Sequence, residues 1–340
     1  MDINDLINRR ELQGFVRSIP LDTFSLRTYL PDDFIDDISW RAVKGRLADQ
    51  DAAEFRAWDT EAPLGNRQGT SRISGELPPI SKKMTLGEEE RLRKRMINGT
   101  DVPYIDAIYN DVANLRRAIE GRIEVARGQA IWDGKTTINE NGMVVEIDYG
   151  MPSNHKVAPA TVWSNHADAT VIANLSTWKQ RYIDTNGVEP GFMLTSNRVV
   201  LELMQVAEFR TLLSTLQGAP GLITRQALND TLAAYDLPNI VVNDEKVRVN
   251  GTPTRVIPDT KVVFLPNEGE DRQAHGRTFW GETAEALALV NEGILRTDEA
   301  PGIVAEVWED NDPLRTWTRV TGVGLPVIVN PELALTATVL

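Results

Sequence analysis

The chain has 340 residues, 41% of them hydrophobic and 25% charged, a formal net charge of −13 and no cysteine. This length suits two domains or one elaborated domain, and the composition is that of a folded protein. The lack of cysteine excludes disulfides, thiol catalysis and thiolate metal sites, and the acidic balance argues against a protein built to grip phosphate backbones. No apolar run approaches the roughly 18 residues of a membrane span. The N-terminal stretch MDINDLINRRELQGF lacks a basic-then-apolar leader pattern, which predicts a cytosolic protein.

Residues 1–48 are poorly periodic. Pro20 and Pro31 interrupt short apolar pieces (Phe24, Leu26, Tyr29, Leu30), and Phe34, Ile35, Ile38 and Trp40 hint at a short helix or strand. They read as an extended arm whose apolar residues are buried against something else, or as a partly disordered terminus. In 49–84, alternation over 53–58 predicts a strand, the turn-rich APLGNRQGTSRISGELPPIS follows, and a second strand is expected near 70–74. Together they form a long β-hairpin with almost no core of its own, a candidate for packing on a neighbour. Thr85 and Glu88 fit a capping box ahead of the charged helix EEERLRKRM, with Asn98-Gly99 as its stop.

Over 101–133, Ile105, Ile108, Val112, Leu115, Ile119, Ile123, Ala126 and Ala130 lay one apolar stripe along an α-helix. Asp101 can cap its start, and Pro103 sits in the first turn. At 1.5 Å per residue this is a rod about 45 Å long, far beyond the average globular helix of about 11–12 residues. Gly121 and Gly128 each cost about 1 kcal/mol relative to Ala and mark a bend or a close approach by another segment. Asn141-Gly142, between 137–140 and 143–149, signals a hairpin that makes a helix-on-sheet unit with the rod.

From 167 the texture alternates between helix and strand. A helix over 167–185 carries Val171, Leu175, Trp178 and Tyr182 on one face, and a buried strand follows at 191–195. Asn197 or Ser196 caps a helix over 198–216, and a further helix spans 225–235. Strands are expected at 239–243 and 261–265, with an Asn250-Gly251 hairpin between them. The ending TWTRVTGVGLPVIVNPELALTATVL is β-rich, broken at Pro326 and Pro331, and is expected to return to the sheet that carries the long helix.

No constellation carries catalysis. His155, His166 and His275 are far apart, and His166-Ala-Asp168 is a nonspecific spacing for a triad or a metal. Asp310 and Asp312 superficially suggest a calcium loop, without the glycine and glutamate that an EF-hand needs. Gly322-Val-Gly324 lacks the third glycine of a dinucleotide fingerprint. No catalytic, cofactor-binding or metal-ligating residue is assigned, and no cofactor is expected.

The order of elements, with GRIEVARGQAIWDGKTTI (121–138) running into VVEIDYGMP, Trp163 before NHADA, and the ending LPVIVNPELALTATVL, resembles the major capsid protein of tailed bacteriophages. The resemblance is to the lambda E-like family with the Hong Kong 97-type fold. It implies an α+β chain with an N-terminal arm (1–48), an extended hairpin loop lying over an adjacent subunit (49–84), a peripheral domain with a spine helix (85–166) and an axial domain (167–305). Residues 306–340 would return to the peripheral or axial domain. It also implies self-assembly through hexamers and pentamers into an icosahedral head around double-stranded DNA, touched weakly and non-specifically. A separate scaffolding protein, a portal protein and an optional decoration protein are the implied partners, with assembly in the host bacterial cytoplasm and residence in the virion. Lys82 and Lys83 are too common a residue type to be assigned a cross-linking role. Two other readings stand beside this one: an encapsulin-like nanocompartment shell, and a hydrolase housed in 167–305 and resting on His166.

Overall fold

The computed structural model describes residues 7–21, 23–44, 58, 71–93, 102–217, 223–267 and 274–340. Two five-stranded sheets organise them. The first runs Asp32–Phe34, Gly276–Gly281, Leu314–Ile328, Ile303–Asn311, with Pro79–Leu86 paired to the other edge of Leu314–Ile328. The second runs Lys156–Val157, Leu335–Thr338, Lys261–Leu265, Phe192–Thr195, Asn239–Val242.

Leu314–Ile328 is the keel of the first sheet. Its first half lies between Ile303–Asn311 and Pro79–Leu86, and its second half pairs with Gly276–Gly281. Pro326, expected as a break, lies inside this strand opposite Thr278. Thr278 turns its own N–H away to the Pro31 carbonyl, so this pair exchanges no backbone hydrogen bond and a residue without an N–H fits. The last strand, Leu335–Thr338, joins the second sheet, antiparallel to Lys261–Leu265.

The long helix is continuous from Val102 to Asp133. Ile108, Val112, Leu115, Ile119, Ile123, Ala126 and Ala130 are buried, as the stripe requires, and Ile105 is half-buried. Its first two-thirds share a core with Leu12, Val16, Leu86, Trp280, Ile303 and Val320. Its end, at Ala130 and Ile131, enters a second core with Leu26, Leu30, Trp40, Phe279 and Val263. Gly128 answers the choice between bend and contact: a Cβ there would lie 2.2 Å from the Val256 carbonyl oxygen. The residue is small because a neighbouring backbone crosses the helix at that point.

The hairpin after the helix pairs Lys135–Glu140 with Met143–Asp148, and Asn141 and Gly142 hold positive φ of 48° and 84°. Lys246–Val249 and Thr252–Arg255 pair likewise around Asn250 and Gly251 (50° and 81°). These are the left-handed conformations a two-residue hairpin turn demands. Around the second sheet, the helices Val171–Asn186, Asn197–Leu203, Ala207–Gln217 and Arg225–Ala234 close a third core, with Trp163 stacked on Trp178 at 6.0 Å.

Four local expectations are corrected. The N-terminal stretch holds a helix, Arg9–Ser18, whose cap Asn8 accepts from the Arg10 N–H. Its inward face is Leu12, Gln13 and Val16, and Gln13 bonds the Ala305 backbone both ways, at 2.6 and 3.1 Å, so a polar residue interrupts the apolar signal. Thr85 is no cap: it pairs with Trp317 in the sheet, the helix begins at Glu88, and Glu88 accepts from the Leu314 N–H. The helix expected over 198–216 is two helices broken at 204–206, because the Ala207 N–H is taken by the His166 carbonyl. Finally, the strand expected near 70–74 is Ser71–Glu76 and pairs with Ser39–Lys44 in a separate two-stranded ribbon, so its partner comes from the arm, where Trp40 hinted at a helix or strand. The strand expected over 53–58 lies outside the described residues except for Trp58, as do Asp101 and Asn98-Gly99.

Candidate functional site

A buried cluster of charge lies where the long helix, the N-terminal segment and the first sheet meet. Arg127 is fully buried at its centre. Its Nη1 donates to Glu120 Oε1 (2.6 Å) and Glu124 Oε2 (3.0 Å), its Nη2 to Asp32 Oδ1 (2.9 Å), and its Nε to Thr278 Oγ1 (2.9 Å). Arg116 donates to the other Glu120 oxygen at 2.7 Å, and Trp280 Nε1 donates to Asp32 Oδ1 at 3.0 Å. Glu124 Oε1 accepts from the Leu26 N–H at 2.6 Å, and the Thr278 hydroxyl donates to the Leu30 carbonyl at 2.9 Å.

The electrostatics follow from burial and pairing. Burial pushes Glu120 up, but Arg127 and Arg116 outweigh it and leave the carboxyl below its usual range. Glu124 has a weaker share of Arg127, and burial lifts it to about 7. Burial alone would pull Arg127 down; Glu120, Asp32 and Glu124 more than reverse that. Such a network can hold three segments in register. It presents guanidiniums, carboxylates and a hydroxyl already bonded to one another, an arrangement suited to fastening rather than to turnover.

None of these four helix residues is given a role by the sequence expectations above. A signal was present: Arg116, Glu120, Glu124 and Arg127 recur at spacings of four, four and three, one helical face immediately beside the apolar stripe.

The histidines do not converge. His166 Nε2 meets Glu202 Oε2 at 2.6 Å, while Asp168 accepts from Asn165. His155 lies between the Ala334 carbonyl (2.9 Å) and Thr185 Oγ1 (3.1 Å), and burial holds it below the usual imidazole range. His275 is fully buried, its Nε2 has no partner among the described residues, and burial lowers it to about 4. Asp310 accepts from Trp317 Nε1. Among the described residues no group of three or more His, Asp or Glu is placed to hold a metal ion, and no helix is long and apolar enough to cross a membrane. Lys83, on the exposed strand Pro79–Leu86, sits 4.5 Å from the Trp317 ring centroid.

Large apolar side chains lie on the surface in separate places: Trp58, Phe34 and Ile38 before or within the ribbon region, Val144 by the hairpin turn, and Leu201 and Tyr235 on the helices of the second sheet. Exposed groups of this kind mark contact surfaces more often than chemistry.

Comparison with known proteins agrees with that reading. A family model described as phage major capsid protein E matches residues 40–339. A comparison with curated proteins gives no match. Among solved structures, a protein described as a prophage capsid protein of E. coli CFT073 superposes with a TM-score of 0.66 at 14% identity, covering 98% of this chain and 99% of that one. A phage-related protein from Bordetella bronchiseptica RB50 gives 0.61 at 15% identity, covering 96% and 95%. At these identities the structural likeness speaks to the fold.

Proposed function

Because the chain belongs to the phage major capsid protein E family, a structural component of the virion capsid, we propose that it builds the head shell as hexamers and pentamers locked together by the segment its ribbon carries. Its fold is the Hong Kong 97-type α+β capsid fold. The observation that supports the locking role is the ribbon itself. Ser39–Lys44 and Ser71–Glu76 form a sheet apart from the two large ones, and the residues between them include a Trp58 that is 96% exposed. An aromatic side chain left almost wholly in water by its own subunit gains by burial against another.

In this reading, residues 1–48 act as the arm, and the loop over an adjacent subunit is the part of 49–84 ahead of Pro79–Leu86, which is bound into the subunit's own first sheet. The first sheet with the long helix forms the peripheral body and the second sheet with its helices the axial body around the symmetry axes, so the expected division at 85–166 and 167–305 is crossed by Lys156–Val157, which joins the second sheet, and by Gly276–Gly281, which joins the first. The acidic chain contacts packaged double-stranded DNA only weakly, which lets the genome slide. A separate scaffolding protein and a portal complete assembly in the host cytoplasm. The test replaces residues 46–69 with a short Gly-Ser turn between the ribbon strands. The expected result is a folded subunit, with unchanged circular dichroism and urea midpoint, that forms no shells by negative-stain microscopy under conditions where the parent does. Shells of normal size from the shortened chain would overturn the locking role.

A further inference from the structure

The ribbon is held to its own subunit by one face. In its register Trp40 lies opposite Gly75, and Ala42 opposite Ile73. Trp40 and Ala42 are buried and Ile73 is half-buried, all in or against the core that holds Phe279, Val323 and Leu325. Arg41, Arg72, Ser74 and Glu76, on the other face, are exposed. Such alternation commits the ribbon to one side, because a slip of one residue would turn every buried side chain out to water. Trp40 is 1% exposed, and its indole stacks on the Phe279 ring of the first sheet at 6.2 Å and 11°.

Two glycines are shaped to this contact. A Cβ on Gly75 would lie 3.0 Å from Trp40 Nε1 and Cζ2, so the indole fills the space that a side chain at 75 would take. Gly75 is not among the residues with positive φ, and its glycine therefore supplies room rather than a turn. A Cβ on Gly281 would lie 2.5 Å from the Asp37 carbonyl oxygen and 3.0 Å from Leu77 Cδ1, so both strands enter the ribbon over a bare point of the first sheet. At that root the Leu77 N–H donates to the Ile38 carbonyl at 2.8 Å, and Asp37 accepts from the Ser39 N–H and hydroxyl. Trp40 is the largest buried side chain among the described ribbon residues. Its Nε1 has no partner among the described residues, so ring packing holds it in place.

We propose that Trp40 is a positioning residue for assembly: seated in the space left by Gly75 and stacked on Phe279, it fixes the direction in which the ribbon carries residues 45–70 away from the subunit. Being buried, it acts through the ribbon and not by touching a neighbour. A two-stranded ribbon has little stability of its own, and without a held face its far end has no single direction. The indole, at the second residue pair, ties that face to the first sheet. Direction matters only if the carried segment locks neighbouring subunits, so the proposal rests on that role.

The test uses the full-length protein and three readouts: shells by negative-stain microscopy, the urea midpoint of the unassembled subunit, and hydrogen exchange in peptides spanning 38–44 and 71–77. The variants are Trp40→Ala, Trp40→Phe and, as a control for lost stability alone, Phe209→Ala in the third core. Trp40→Ala should unfold cooperatively, exchange about tenfold or more faster in the ribbon peptides, and form few or no shells of normal size. Trp40→Phe, which keeps the stack, and Phe209→Ala should both assemble. Normal shells or unchanged ribbon exchange in Trp40→Ala overturns the positioning role, as does equal loss of shells in Trp40→Phe or in Phe209→Ala. If Trp40→Ala does not fold, Gly75→Val decides instead. It crowds the indole from its seat, so lost shells with faster ribbon exchange are expected, and normal shells overturn the role. Failure of the lock reads differently: a chain shortened over 46–69 that forms no shells, beside a Trp40→Ala chain that does, keeps the lock and removes only the role of Trp40.

Discussion

Gly121 and Gly128 sit two turns apart on one helix, and the structure predicts opposite outcomes for the same substitution. At Gly128 an added Cβ would lie 2.2 Å from the Val256 carbonyl oxygen, 2.7 Å from its Cγ1 and 2.9 Å from its carbonyl carbon. A carbon resting on a carbonyl oxygen needs about 3.3 Å, so helix and crossing backbone must part by about 1 Å. The obstacle is main chain that leads out of the Lys246–Val249/Thr252–Arg255 hairpin, and it cannot rotate aside. Arg127, next to Gly128, would be dragged from its three carboxylates. Gly128→Ala gains about 1 kcal/mol of helix propensity and, against main chain that cannot move aside, loses about 3 kcal/mol to overpacking, for a net loss of about 2 kcal/mol. At Gly121 the nearest atom is a Val247 methyl at 3.1 Å, then a Phe24 ring carbon at 3.6 Å, both on half-buried side chains and neither on main chain. Gly121→Ala is therefore expected to lie between unchanged and about 1 kcal/mol more stable. Urea unfolding of the unassembled subunit measures both. With m of roughly 3 kcal/mol/M, the Gly128→Ala midpoint falls by about 0.7 M. A Gly128→Ala protein as stable as the parent, or two variants shifted the same way, would refute the contact as the reason for glycine.

Arg127→Met would leave Glu120, Glu124 and Asp32 buried with their common cation gone, a loss of about 3–5 kcal/mol in urea unfolding; a loss under about 1 kcal/mol would show the cluster to be dispensable. The His275 imidazole is held neutral at about 4 against 6.5 when unfolded. That stability is complete above about 6.5 and is lost as pH falls towards 4, at most about 3 kcal/mol. His275→Gln should flatten the acid limb of stability against pH over that window, and an unchanged limb would assign acid sensitivity elsewhere.

What the sequence made legible was what local physics decides. Asn141-Gly142 and Asn250-Gly251 were readable because positive φ at both residues leaves few alternatives. The helix Val171–Asn186 was readable because Val171, Leu175, Trp178 and Tyr182 repeat on one face and are all buried. The misreadings share a different cause, a distant partner. Thr85 has the local chemistry of a cap, yet Trp317 claims it for a ladder over two hundred residues away in sequence. Gln13 reads as solvent-facing until Ala305 takes both ends of its amide. The periodicity of 198–216 runs unbroken through Val206, and only the His166 carbonyl shows where the helix must stop. The buried charges had a visible spacing, but the sheet strand and the N-terminal segment that cover them come from 151 and 95 residues away.

The length of the helix Val102–Asp133 follows from the same long-range contacts. One end serves the core under Ile303 and Val320, the other the core of Trp40, Phe279 and Val263, and the helix runs the length of both. Over the stretch 116–127 ion pairs run along the face beside the apolar stripe, whose Ile119, Ile123 and Ala126 stay buried. Apolar contacts along the rod would tolerate sliding by a turn, because one aliphatic side chain can replace another. Arg127 cannot slide, since its four contacts fix it to Asp32 on one side and Thr278 on the other. The glycines then mark where neighbours press closest, and a bend at Gly128 would have to carry the crossing backbone of Val256 with it.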